Sequence, residues 1–472
     1  MMIDSSAPSR LWKGSGGTLR LAFPLILAQM GVVGMGLIDT INFSVAGTLS
    51  LAGGSLGTAV FSLVHIIAVG VLAAVGNKIA FSKGAKNLTD VSATLAAGIQ
   101  LSIAFGMVMA GLSIMFGFLL PLAGQDHVAS KLSIYYLIPV SVSIIPSLLF
   151  TTYRGLLVSF LVPAAITRVT LEGLILKIAL SVILIKQNVM PVSDSPAQFV
   201  LSISGFSTTV AYIFMAIRIR HVCRTILPEY CISPPKTSAK YTNIADILRL
   251  GTPIGLVYGV EAGFFTATIL VAGVFGPQVL AAHHIANQCV YITFMVAVGL
   301  SHVASAKVGA AAGATDYREV QRLSTQSLLL GLILMTTTAL LFLLFGPHLA
   351  GIFVDLEDES RTEIIALAST FLFAAALIQW ADGSQNIAMG ILRGLKDSKV
   401  TVYICIVGYW LIGLPAAYVL SSIPSIGPVG IWLGIGIGLY ATAGLLILRV
   451  RSYIIKNQKQ NHYIGPITVC KP

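Results

Sequence analysis

Windows of about twenty predominantly apolar residues recur twelve times along this chain, and an α-helix of that length spans the hydrocarbon core of a bilayer. The windows fall at roughly 17–43, 51–80, 92–121, 131–153, 162–186, 197–220, 246–275, 279–306, 322–346, 361–391, 400–421 and 427–449. Of 472 residues, 56% are hydrophobic and 10% charged, more apolar surface than a soluble core can cover. The sequence therefore reads as an all-α polytopic membrane protein with twelve transmembrane helices.

The basic residues suggest an orientation. With both termini in the cytoplasm, all of the 29 Lys and Arg fall on that side except Lys131, Lys186 and Arg361 outside and Arg168 and Lys177 within spans. That is a positive-inside bias, and it places the net charge of +11 against anionic lipid heads rather than nucleic acid. The acidic run DLEDESRTE, Asp355 to Glu363, then reads as a solvated external loop. The first apolar segment carries Asp39 in place of a small-residue cleavage site, so it is read as a retained helix.

Enzyme and metal chemistry find little support. The five cysteines (Cys223, Cys231, Cys289, Cys405, Cys470) lack C-x-x-C spacing. The neighbours His283 and His284 would point about 100° apart on a helix, unlike paired ligands at i, i+4. No nucleophile and base pair or phosphate loop stands at useful spacing, and no cofactor is expected.

The chain also repeats itself. LRLAFPLI from residue 19 returns as LRLGTPIG from 248, LAGGSLG from 51 as LAAHHIA from 280, and Gly84-Ala85 as Gly313-Ala314, all at one offset of 229. A constant shift over about 65 residues implies two six-helix bundles, and an even helix count makes the repeat parallel. The expected domains are an N-terminal lobe over 1–220, a cytoplasmic linker over 221–245 with Pro228, Pro234 and Pro235, a C-terminal lobe over 246–450 and a tail over 451–472. Pro24 and Pro253 are equivalent positions that read either as hinges or as static kinks. Gly34, Gly36 and the run GIWLGIGIG read as close-packing sites.

Three carboxylates stand inside these apolar windows: Asp39, Glu261 and Asp382. An ionisable group in hydrocarbon costs several kcal/mol, from about 3 on insertion scales to over 10 in simulation, and so marks a transport path or relay. Arg168 and Glu172, four apart, read as an intrahelical ion pair.

Whole segments resemble the multidrug and toxic compound extrusion (MATE) transporters, in particular the bacterial NorM-like branch. LAFPLILAQMGVVGMGLIDT is similar to the family's first helix, AAHHIANQCVYITFM and SAKVGAAAGA to the eighth helix and following loop, and GILRGLKDSKVTVYICIVGYWLIGLP to the tenth-to-eleventh segment. The resemblance implies antiport, in which an inward Na+ or H+ gradient drives export of organic, usually cationic, drugs. It also implies that Glu261 and Asp382 form the coupling-ion site of the second half. The alternative is a structural pair of carboxylates satisfied by backbone or by donors such as Ser384 and Gln385; His284 and Gln288 are further candidate polar neighbours. A buried pair of carboxylates suits a site neutralised by either Na+ or a proton.

Departures from the family pattern concern the first lobe most. Asp39 matches the first-helix acid, but Lys177 and Ser181 stand where the family has two asparagines, and Ala179 where it has a proline. Lys177 either pairs with Asp39, supplying internally the charge that a coupling cation otherwise brings, or snorkels to the interface. His284 replaces a usual glutamine and reads as a titratable or a packing group; Ile378 replaces a common tyrosine one turn before Asp382, removing a cation–π contact. Gly76-Asn77-Lys78 interrupts the second-helix pattern.

Tyr258, Phe264, Phe265, Tyr291, Phe294 and Trp380 are candidates to line a substrate cleft or simply to pack. The expected partners are small organic molecules and the lipid bilayer. The expected state is a monomer in a bacterial inner (plasma) membrane, with both termini cytoplasmic. A flippase for lipid-linked oligosaccharide or polyisoprenoid is the alternative. It would need Arg and Lys in its cavity for pyrophosphate, and the second-half windows contain acids and no interior base.

Overall fold

The computed structural model describes residues 15–187, 196–231, 237–354 and 360–463. The acidic residues 355–359, Pro234, Pro235 and Cys470 lie outside the described residues. The described residues hold helices and the turns between them: α1 Ser15–Val45, α2 Thr48–Gly84, α3 Leu88–Leu119, α4 His127–Val142, α5 Ile144–Ser159, α6 Pro163–Gln187, α7 Pro196–Ile226 and the single turn α8 Pro228–Cys231 come first. After them run α9 Thr237–Gly273, α10 Pro277–Gly313, α11 Tyr317–Gly351, α12 Arg361–Gly394, α13 Ser398–Cys405, α14 Leu414–Ser421 and α15 Val429–Tyr463. A π-helical stretch, Ile406–Gly413, joins α13 to α14.

Eleven spans among the described residues are long and apolar enough to cross a membrane, α4–α5 and α13–α14 each counting as one. The twelfth expected span is α6, 25 residues long, set apart by Arg168, Glu172 and Lys177 in its middle. Large apolar side chains point outward along these helices, among them Phe23, Leu37, Met107 and Leu344. Lipid tails cover such residues at no cost, whereas water would not. Pro24 and Pro253 both lie inside continuous helices, so neither ends its helix.

The repeat reaches further than its sequence signal. Helices α2 and α10 are each 37 residues long, and their entry glycines Gly47 and Gly276, 229 apart, hold φ of 97° and 101°. The turns after them place Lys86 and Thr315 in the left-handed region at φ 56° and 57°. Next, Asn87 caps the backbone N–H of Asp90 at 3.2 Å and Asp316 that of Glu319 at 3.0 Å. Further on, Leu161 and Lys396 repeat the left-handed turn at φ 59° and 61°. That pair is 235 apart, so the second copy carries extra residues upstream of Lys396.

The chain divides into two compact units, one of Leu21–Lys83 and Asn87–Gly259, the other of Met1–Arg20, Gly84–Lys86 and Val260–Pro472. In the first unit, α7 buries Phe199, Val200 and Ile203 against Ala46, Leu184 and Ile185. Gly76 and Gly155 let α2 and α5 touch backbone to backbone, a Cβ on either lying 2.9 Å from the other's Cα. Lys78, buried, donates to Asn243 Oδ1 at 2.6 Å and Asp246 Oδ2 at 2.5 Å. The interruption Gly76-Asn77-Lys78 is thus a packing and ion-pairing device.

In the second unit, α14 and α15 meet along small residues. Gly430, Gly434 and Gly438, one turn apart on α15, face the backbone of Leu420, Ala417 and Gly413 in turn. A Cβ on Gly434 would overlap the backbone of Ala417, whereas one on Gly444 would meet nothing within 4 Å. Close backbone approach of this kind holds helices together where lipid supplies no hydrophobic drive. Gly434→Val is therefore expected to destabilise the protein by at least about 1–3 kcal/mol. Thermal unfolding in detergent checks this, with Gly444→Val staying near wild type.

Candidate functional sites

Each unit buries acidic residues, and the two sets are resolved differently. In the first, Asp39 of α1 is 3% exposed, and Lys177 of α6 is fully buried. Lys177 Nζ donates to Asp39 Oδ2 at 2.8 Å and to the Met35 carbonyl at 2.5 Å. Tyr136 of α4 donates its hydroxyl to the same carboxylate oxygen at 3.2 Å, and the Thr208 hydroxyl of α7 lies 3.3 Å from it, shared with the Ser204 carbonyl. Four helices thus converge on Oδ2, while Oδ1 is buried without a partner. Ser181 does not join them: its hydroxyl bonds that of Ser207 at 3.2 Å. Of the two readings left open by sequence, the structure takes the pair; the ammonium does not snorkel.

In the second unit, Asp382 of α12 is 3% exposed, and its Oδ1 accepts from Gln385 Nε2 at 3.1 Å. Gln385 is held in turn by the Tyr409 hydroxyl, which donates to Oε1 at 2.6 Å. Tyr409 sits in the π-helical stretch and stacks on Phe264 of α9, ring centroids 5.3 Å apart and planes at 12°. Stretches of π-helix mark functional sites because they rotate side chains out of the α register. Glu261 of α9 lies within electrostatic reach of Asp382, Arg393, Cys405 and Tyr409. Asp382 opens onto a small cavity walled by Phe265, Ile378, Gln379 and Trp432 among others. No Lys or Arg bonds Asp382 among the described residues.

Of the four polar neighbours expected from sequence, Gln385 alone bonds an acid here. Gln288 and Ser384 do not reach the carboxylates, and His284 is exposed on α10. The inward-facing histidine is His283, fully buried, with Nε2 2.8 Å from Asn287 Nδ2 and its ring against Trp432. A one-residue difference in register on α10 decides this. Arg393, in the last turn of α12 just beyond the apolar window 361–391, is 7% exposed and donates to the Ser301 hydroxyl at 2.7 Å. Glu172 pairs with Arg168 at 3.0 Å as the spacing implies, and also with Arg218 at 3.2 Å. Sequence reasoning missed Tyr136, Thr208, Tyr409 and Gln379. Their signal is polarity inside an apolar window, which many packing residues share.

Two separate stretches of the chain, 24–183 and 253–419, match the MatE family profile, and they begin at the equivalent prolines Pro24 and Pro253. The chain belongs to the MATE family. It is accordingly a multi-pass membrane transporter and not an enzyme. Among MATE relatives, the probable multidrug resistance protein NorM of Deinococcus radiodurans is 32% identical over 430 residues, covering 91% of this chain and 93% of that one. The protein of the same description from Pseudomonas putida is 35% identical over 431 residues, covering 90% and 91%. Among solved structures, a MATE in complex with MaL6 superimposes with a TM-score of 0.84 at 18% identity, covering 94% of this chain and 97% of that one. An outward-facing MATE multidrug resistance transporter of the MOP superfamily gives 0.82 at 18%, covering 94% and 96%. At such identity these structures establish the MATE fold for this chain, and the site residues rest on the geometry above.

Proposed function

We propose that the protein exports organic, mainly cationic, drugs or toxic compounds in exchange for an inward-moving Na+ or H+, by alternating access. The observation that carries this reading is the contrast between the two buried charge sites. Asp39 has its countercharge built in, as Lys177, whereas Asp382 is bonded by a neutral amide, opens onto a small cavity and has the Glu261 carboxylate within electrostatic reach. A carboxylate at depth needs a cation or a proton, and only the second site leaves that place to a mobile ion. Glu261 and Asp382 therefore carry the coupling ion, with Gln385 and Tyr409 positioning Asp382. Asp39 and Lys177 act as a fixed pair.

The names of the NorM relatives support a multidrug substrate range. On this reading residues 1–220 and 246–450 are the two lobes that alternate, 221–245 is their linker and 451–472 a tail, with both termini cytoplasmic in a bacterial inner membrane and the monomer as the working unit. The test is reconstitution in vesicles with imposed Na+ or pH gradients and a panel of organic cations. Flux is expected only against an inward gradient of one ion, and gradient-independent flux would overturn the antiport reading.

A further inference from the structure

Glu172 of α6 accepts from two arginines: Arg168 Nε donates to one carboxylate oxygen at 3.0 Å, and Arg218 Nε of α7 to the other at 3.2 Å. Beside them Gly173 packs against the Met215 side chain and brings the two helices together. The triad faces outward, with the Arg168 side chain 77% exposed and that of Arg218 35%. Along the same stretches Leu171, Ile175, Ile213 and Ile217 are exposed as well. Arg168, Leu171, Glu172 and Ile175 share one helical face by their i, i+3, i+4, i+7 spacing. A face of that composition meets lipid rather than water.

Depth makes the charge unusual. At 1.5 Å per residue, Glu172 stands about 14 Å from the Pro163 end of α6 and Arg218 about 12 Å from the Ile226 end of α7. Consecutive spans run in opposite directions, so those two ends share one side of the membrane, the cytoplasmic one in the proposed orientation. With 25 residues, α6 outreaches a hydrocarbon core of about 30 Å by only a few ångströms at each end, which sets the carboxylate on the order of 10 Å below the headgroups. Charge facing lipid at that level is costly unless it is paired, and Glu172 can neutralise only one of its two arginines.

The other positive charge has no partner in the protein. Each guanidinium gives its Nε–H to Glu172, and among the described residues neither bonds anything else, so the Nη donors of both are spare. Side chains on α6 lean toward its N-terminus, which carries the Arg168 fork up toward the headgroups. The anion that a leaflet supplies there is lipid phosphate, and the planar fork of arginine fits it. A singly charged anionic phospholipid cancels the excess charge of the triad. A zwitterionic one brings its own ammonium and leaves the excess in place.

We propose that Arg168 and Arg218 bind the phosphate of an anionic phospholipid of the cytoplasmic leaflet, its acyl chains lying along Leu171, Ile175 and Ile217. Glu172 is the positioning residue that holds both forks. The site is separate from the buried acids of either unit and uses only the orientation given under the proposed function.

Native mass spectrometry of the purified full-length protein, titrated in detergent with phosphatidylglycerol or with phosphatidylcholine, reads the lipid-bound fraction. Wild type is expected to take up a first phosphatidylglycerol well before phosphatidylcholine. Arg168→Gln/Glu172→Gln/Arg218→Gln removes all three charges and strands none. Its apparent affinity for the first phosphatidylglycerol should fall at least about tenfold, the usual cost of losing a charge-assisted hydrogen bond. Arg451→Gln, at an exposed position on α15, lowers the net charge by the same amount and should stay within about twofold of wild type. Should the triple variant fail to fold, Arg168→Gln alone carries the same comparison, its side chain being mostly exposed. Equal uptake of the two lipids by wild type, an unchanged affinity in the neutralised variant, or an equal fall in Arg451→Gln overturns the proposal. Displacement of phosphatidylglycerol by millimolar inorganic phosphate overturns it too, by giving the site to a soluble anion.

Discussion

Lys177→Met is expected to destabilise the protein by about 3–5 kcal/mol, because it strands the Asp39 carboxylate in a fully buried position without its countercharge. The double variant Asp39→Asn/Lys177→Met should recover most of that loss, since removing both charges also removes the desolvation that they share. Equilibrium unfolding in mild detergent measures the three proteins side by side. Tyr136 can still donate to the amide that Asp39→Asn introduces, whose N–H can take the ammonium's place at the Met35 carbonyl, while Lys177→Met leaves no polar group to satisfy. Equal stability of Lys177→Met and wild type would show that Asp39 needs no internal cation. The same pair has a transport consequence. Lys177→Asn installs the residue that the family uses at this position, and Asp39→Asn should then impair export more in that background than in wild type. An identical response in both backgrounds would separate the pair from coupling.

Much of this was legible in the chain because membrane insertion imposes a coarse grammar. Twelve apolar windows, two copies of LRLxxP and three acids at depth are visible without a structure. The repeat faded after about 65 residues because lipid-facing positions accept any apolar side chain. What persists between the copies is backbone geometry: Gly47 with Gly276, Lys86 with Thr315, Leu161 with Lys396. The site was harder to read for a related reason. IVGYWLIG looks like any other apolar run, yet it folds as π-helix and delivers Tyr409 to Gln385. Which of His283 and His284 faces inward depends on helix phase, and the buried depth of Arg393 depends on Ser301, 92 residues away. Spacing along one helix finds pairs such as Arg168 and Glu172, but partners on different helices require the packing itself.

Asp382→Asn and Glu261→Gln are each expected to reduce gradient-driven export by on the order of 100-fold, equivalent to about 2.7 kcal/mol. Alternating access is driven only by a ligand that binds the two states unequally, and an ion bound equally or not at all shifts no population. Each substitution keeps shape and hydrogen-bonding capacity while removing the charge that attracts the ion. Gln385 and Tyr409 can still hold the neutral amide that Asp382→Asn introduces, so folding should be spared. On the proposed reading both acids act on one ion, so the double variant should be no worse than either single one, the signature of residues working as a unit. Initial rates in vesicles under a fixed imposed gradient, with equilibrium drug binding measured in parallel, make the comparison. Losses that multiply in the double variant would mean two independent ion sites, one at each carboxylate. Losses confined to drug binding would move Asp382 from the ion to the substrate.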